Sequence, residues 1–277
     1  MPHRAAPTEK PTTFVPGRIS PLGAPGQLAT PLYHARFGVQ AVLMTLHGFE
    51  SVANEIDAHE DDYDRALLLG GLDFNDVVQM ELKPWPCVQP GQCAIQALEE
   101  VVLEHKIDPL KIQRVRLSAP CVATIPHQNE PAPTTFWQAV YSLQWAATMV
   151  IRQIPPGPQW FATDQIDDAW NQALVAKVDV VEDLQSTRAY TALRRHEIIG
   201  TAEVATESGT FMRECPLGET RGGPDAPMSK EMGGSKFMEA VSQNLTVDQA
   251  QQLLAKLRQA EDATDVNQLL EREATLA

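Results

Sequence analysis

The stretch IQRVRLS, residues 112–118, alternates apolar and charged side chains, and its reading decides the fold class. Val115 and Leu117 fall on one side, Arg114 and Arg116 on the other. That is the two-residue period of a strand with one buried face. A second strand signal follows at Val178, Val180 and Val181. A third is the pair Ile198–Thr206 and Thr210–Cys215 around the turn residues Glu207, Ser208 and Gly209, which reads as a hairpin. Helical spacing surrounds these strands. Phe37, Ala41, Val42 and Met44 predict a helix over 33–47, and Gly48 suits its left-handed cap. Ile95, Leu98 and Val102 predict a helix over 92–105, bounded by Pro109. The apolar run 135–152 reads as one buried helix, and 167–175 as another. Ser229 is placed to cap a closing helix. Thr246 and Gln249 form a capping box for the next, whose apolar face is Val247, Ala250, Leu254 and Leu257. A last short helix is predicted around Val266, Leu269 and Leu270. The order is therefore helical, then mixed, then helical: an α+β fold, with a mixed insert between helical ends.

Composition bounds the function. The chain has 277 residues, 43% of them hydrophobic, enough for a sizeable core, and its formal net charge is −14. Such a charge repels phosphate backbones and anionic lipid surfaces, so neither nucleic acid nor a membrane is expected as partner. No run of apolar residues is long enough to span a bilayer. The four cysteines, Cys87, Cys93, Cys121 and Cys215, make no CxxC pair or zinc spacing and read as free thiols in a reducing compartment, a cytoplasmic setting. The seven histidines form no metal-spaced pair. There is no GxGxxG, Walker, GxSxG or HExxH motif, so neither metal nor cofactor is expected.

The first thirty residues carry Pro2, Pro7, Pro11, Pro16, Pro21 and Pro25, with Pro31 just beyond. They read as an extended, disordered leader. Arg4, Lys10 and Arg18 give it a weakly mitochondrial composition, but its prolines break the amphipathic helix such a signal needs. The acidic group Glu60, Asp61, Asp62 and Asp64 reads as a solvated face.

Lys83 is the residue of most chemical interest. In LKPWPC, 82–87, two prolines flanking Trp85 fix an extended segment. A lysine held there has two readings: a group that binds a carboxylate or moves a proton, or a snorkelling surface cation.

The segment LKPWPC resembles the KxYxC segment of the MmgE/PrpD family, which includes 2-methylcitrate dehydratase and cis-aconitate decarboxylase. Four further stretches are similar in order: HARFGVQAVLMTLHGFES (34–51), IDPLKIQRVRLSAP (107–120), FWQAVYSLQWAATMVI (136–151) and PLGETRGGPDAPMSKEMGGSKF (216–237). The resemblance implies an all-helical domain carrying an inserted α+β lid, of which this chain corresponds to the C-terminal part. Residues 1–30 are then the leader, 31–86 a partial helical domain, 87–225 the lid and 226–277 the helices returning to the helical domain. It also implies a metal-independent lyase, cis-aconitate decarboxylase-like or 2-methylcitrate (alkylcitrate) dehydratase-like, acting on a citrate-type polycarboxylate in a fungal-type specialised pathway. Lys83 is the site residue it transfers, and Cys87 matches the motif as a packing residue. The family's long N-terminal helical region has no counterpart here. A lysine common in the family about eleven residues before its helix glycine is Gln27, and a histidine common nine residues after the motif lysine is Gln92. Leu72–Asp76 looks like the family's aspartate-rich motif but stands in the wrong order. These departures keep a second reading open: an inactive, truncated homologue that binds a carboxylate or a full-length partner subunit. Without the missing helices the apolar faces would favour a homodimer or such a partner.

Overall fold

A computed structural model describes residues 30–48, 81–126, 128–192, 194–223 and 225–262. The leader, the acidic group at 60–64, the 72–76 motif and the helix expected around 266–270 lie outside the described residues. The chain divides into two compact units, Met1–Asp64 and Arg65–Ala277.

Within the first unit, helix α1 spans Thr30–Leu46 and ends at Gly48 in the left-handed region, φ 85°. Its Phe37, Val39, Val42, Leu43, Met44 and Leu46 are all exposed.

The second unit is built on a four-stranded mixed sheet. Strands β1 (Ile112–Ala119), β2 (Val178–Glu182), β3 (Ile199–Thr206) and β4 (Gly209–Pro216) lie in the order β2-β1-β3-β4. β2 runs parallel to β1, with Val115 opposite Val178. β3 runs antiparallel to both β1 and β4. The alternation expected of residues 112–118 holds: Val115 and Leu117 are buried while Arg114 and Arg116 are exposed. A register shift between Ile112 and Arg114 interrupts it at the start of the strand. The hairpin turns at Glu207 and Ser208, where the Thr206 hydroxyl accepts from the Ser208 N–H and donates to the Gly209 carbonyl at 3.0 Å.

Helix α2 (Gln92–Glu104) lies across this sheet, and its first seven residues, Gln92 to Leu98, are all buried. Its approach depends on Gly200 of β3. A β-carbon there would stand 2.3 Å from the Ala94 nitrogen and 2.6 Å from the Cys93 carbonyl carbon. Any larger residue pushes the helix off the sheet.

The apolar run 135–152 is not one helix. It forms α3 (Phe136–Tyr141) and α4 (Leu143–Ile151), with Ser142 extended between them. The Ser142 hydroxyl donates to the Glu130 carbonyl at 2.7 Å and accepts from the Trp145 N–H at 3.0 Å. A serine inside an apolar run here acts as an N-cap, because local hydroxyl bonding competes with the helical ladder. The helix expected over 167–175 is present as α6 (Ala169–Val175), which Asp168 caps, and a single helical turn α5 (Thr163–Ile166) precedes it. Helix α7 (Leu184–Thr191) has no clear apolar face in the sequence, burying only Ser186 and Ala189, and the pattern gives no warning of it. The buried tryptophans have partners: Trp145 Nε1 donates to the Trp160 carbonyl and Trp160 Nε1 to the Ile154 carbonyl, both at 3.0 Å.

Two helices close the unit. Ser229 caps α8 (Lys230–Val241), and Thr246 with Gln249 forms the expected capping box on α9 (Val247–Leu257). The expected apolar face of α9 is only partly used. Ala250 is buried and Leu254 half-buried, while Val247 and Leu257 stay exposed. Gly234 of α8 lies against Leu254 and the Arg258 guanidinium, which donates to the Lys230 carbonyl at 3.1 Å. No helix among the described residues is long and apolar enough to cross a membrane.

Candidate functional site

The segment 81–88 runs between the start of α2, the loop 217–226 and helix α8. Loop 217–226 grips it backbone to backbone. The Leu82 N–H donates to the Gly222 carbonyl at 2.8 Å. Gly222 has φ 84°, and a β-carbon there would lie 1.8 Å from the Leu82 carbonyl oxygen, so neither the dihedral nor the space admits another residue.

Trp85 is buried to 1% exposure. Its indole N–H donates to Glu99 at 3.3 Å, and the Arg221 guanidinium lies 4.7 Å above the ring centroid. Arg221 is ion-paired to Glu99, and its backbone N–H donates to the Gln96 side chain at 2.8 Å. The tryptophan is thus held from below by α2 and from above by the loop.

Gln92 acts on the same segment. Its amide donates to the Trp85 carbonyl (3.0 Å), the Cys87 carbonyl (3.3 Å) and the Cys87 sulfur (3.0 Å), and accepts from the Trp85 N–H (3.4 Å). An amide carries both donors and acceptors at every pH, which suits a buried bracket on a main chain. Gln92 therefore has a structural duty, although it brings no proton-transfer chemistry.

Cys87 is buried, as expected of a packing residue. Burial pushes its thiol up to about 12, against the opposing pull of Lys83. Burial, then the neighbouring Cys215, also pushes Cys93 up to about 12. Neither thiol offers a thiolate near neutral pH. Among the described residues no three or more His, Cys, Asp or Glu side chains are gathered as metal ligands.

Lys83, by contrast, is exposed. The segment bends through Pro84–Cys87, so Trp85 and Cys87 turn inward while Lys83 faces out. Its ammonium donates to the Cys87 carbonyl at 3.0 Å. The Lys236 ammonium, from α8, donates to the Lys83 carbonyl at 2.5 Å. Partial burial and then the charge of Lys83 hold Lys236 below its ordinary lysine value. Between this segment and loop 217–226 lies a cavity of about 10 Å³, lined by Lys83, Gln92, Thr220, Arg221 and Gly222 among others. That is room for one water, not for a ligand.

The sequence singles out Lys83 but gives no sign that Lys236, Arg221 and Glu99 gather around its segment. Arg221 and Lys236 stand more than a hundred residues from Lys83 in the chain, and Glu99 lies on the following helix. Arg221 and Lys236 fall inside PLGETRGGPDAPMSKEMGGSKF, but nothing local separates them from surface cations.

A family model described as the MmgE/PrpD C-terminal domain matches residues 85–261. The match covers Gln92, Glu99, Arg221 and Lys236 and begins two residues after Lys83. No curated protein matches the chain. The matched span takes in the whole sheet, the packed segment around Trp85 and both closing helices, and on that extent the chain belongs to the MmgE/PrpD family.

Proposed function

We propose that the protein is a lyase acting on a citrate-type polycarboxylate, either cis-aconitate decarboxylase-like or 2-methylcitrate dehydratase-like, in which Lys83 meets a substrate carboxylate. In this reading residues 87–225 serve as the lid of a larger helical domain, to which 31–86 and 226–277 contribute. The observation that carries the reading is the contrast within ten residues, 83–92. Lys83 is exposed and aimed by the Cys87 carbonyl, while Trp85, Cys87 and Gln92 fix the backbone beneath it. A pre-positioned cation spends little ordering on binding and gives a charge-assisted contact.

One observation favours the second reading, a homologue that binds a carboxylate without turning it over. Gln92 stands where the family commonly has a histidine, and its amide is engaged by the main chain of Trp85 and Cys87 and by the Cys87 sulfur.

The test is an assay of the purified full chain for loss of water or CO₂ from cis-aconitate, 2-methylcitrate and alkylcitrates. Lys83→Ala is expected to abolish turnover, or to weaken polycarboxylate binding by about fivefold or more, the scale of one exposed charge contact. Lys83→Arg restores binding but not proton transfer, since a guanidinium stays protonated at usable pH. Binding without turnover selects the second reading. Full activity in Lys83→Ala removes Lys83 from the site.

A further inference from the structure

Lys83 and Lys236 stand side by side with no carboxylate on either. Among the described residues neither forms an ion pair, and two acidic residues close by are engaged elsewhere: Glu99 with Arg221 and Trp85, Glu81 with Gln89. Each ammonium uses one N–H on a main-chain carbonyl, Cys87 for Lys83 and Lys83 for Lys236. An ammonium has three such donors, so two on each stay available. Both side chains are exposed, and a ligand reaches them without opening the core.

Both groups are also placed rather than loosely tethered. Lys83 sits on the segment clamped by Gly222, Trp85 and Gln92. Lys236 sits on α8, which Ser229 caps and Arg258 of α9 ties down. The contact joins residues 153 positions apart. Two like charges brought together by separate elements repel each other, and at Lys236 partial burial and then the charge of Lys83 hold the ammonium below its ordinary lysine value. A monoanion relieves only part of this. An anion with two or more carboxylates can place one near each ammonium.

We propose that Lys236 is a second ligand-binding residue beside Lys83, and that the two ammonium groups together select a ligand with at least two carboxylates. The proposal rests on the reading of Lys83 as a carboxylate-binding residue.

The experiment is calorimetric titration of the full chain at low salt with tricarballylate, an unreactive tricarboxylate, and with acetate and sulfate. The variants are Lys83→Gln, Lys236→Gln, Lys236→Arg and, as a control on the same helix, Lys230→Gln. Melting temperature confirms that each is folded. Wild type is expected to bind tricarballylate at least about tenfold more tightly than acetate. Lys83→Gln and Lys236→Gln should each weaken tricarballylate by about fivefold or more, the scale of one exposed charge contact. Lys236→Arg and Lys230→Gln should stay within about twofold of wild type. If Lys236→Gln binds like wild type while Lys83→Gln is weakened, the role of Lys236 is overturned and the reading of Lys83 stands. If Lys83→Gln binds like wild type, that reading falls and the pair with it. Equal weakening in Lys230→Gln, or sulfate bound as tightly as tricarballylate, reduces the effect to general positive charge and overturns the proposal. A wild-type chain that binds no tricarballylate overturns both.

Discussion

Trp85 and Lys83 are two residues apart and belong to different worlds. The side holding Trp85, Cys87 and Gln92 is dry, and each of its polar groups is met by another: indole by Glu99, main-chain carbonyls by the Gln92 amide. The side holding Lys83 and Lys236 is open and carries two positive charges without a counter-charge among the described residues. The difference separates two duties. The packed side gives the segment one conformation, and the open side, on the reading proposed above, keeps its donors for a ligand. A family member whose motif lysine were buried and satisfied would have lost the capacity to meet a ligand. One whose tryptophan were exposed would have lost the geometry.

The largest expected effect sharpens the packed half of that comparison. Cys87 and Cys93 are each held up to about 12 from an ordinary 9.0 by burial. An unfolded thiol releases its proton near its ordinary value, whereas the folded thiol keeps it. Above that value the native state binds more protons than the unfolded state, so stability falls as pH rises through the window from 9 to 12 and is unaffected below it. Each thiol contributes a slope of up to about 1.4 kcal/mol per pH unit in that window. Denaturant unfolding at pH 8, 9, 10 and 11 measures it, and Cys93→Ala should reduce the slope by about half. Rapid labelling of both thiols in the folded protein at pH 8 would show that the packed side is not dry.

Next in size is Gln92→Leu. The leucine fills much of the space but leaves the Trp85 N–H and the Trp85 and Cys87 carbonyls unmet inside the core. The expected loss is about 2–3 kcal/mol of unfolding free energy, the cost of stranding buried polar groups. A loss below about 0.5 kcal/mol, the range of ordinary surface changes, would mean that the bracket is not what holds the segment.

The smallest effect belongs to the open side. Lys83→Gln should move unfolding free energy by no more than about 0.5 kcal/mol, because it removes no apolar burial and breaks only one exposed-side contact. A drop of several kcal/mol would make Lys83 part of the framework and erase the distinction between the two sides.

Much of the fold was legible before any coordinates. The alternation in IQRVRLS marked β1, since a half-buried strand imposes a period of two. The hairpin announced itself through its turn residues. Ser229, Thr246 and Gln249 marked helix starts because an N-cap is a local bond between a side chain and a main chain three residues on. The failures were also local in origin. Ser142 in an apolar run looked like a tolerated polar residue, yet its hydroxyl found the Glu130 carbonyl and broke the helix in two. Helix α7 buries so little that its composition carried no helical signature. Of the candidate site, Lys83 stands out in the sequence because two prolines and a tryptophan set its segment apart. Gln92 was read only as a residue unable to move a proton, and its role on the main chain of 85–87 was invisible.

The sequence by itself determined the strand at 112–118, the hairpin and the caps of the closing helices, that the fold is α+β, that Cys87 packs and that Lys83 is a candidate cation. Short-range patterning and side-chain chemistry are enough for those. Only the tertiary structure decided that Lys83 faces out while Trp85 faces in, that Gly222 is pressed against Leu82, and that Lys236 arrives beside Lys83 from the far end of the domain. These are contacts between elements more than a hundred residues apart, set by how α2, the 217–226 loop and α8 pack around one segment. Chain-local rules carry no information about which distant side chain fills a given space, because that choice is made by packing the whole core at once.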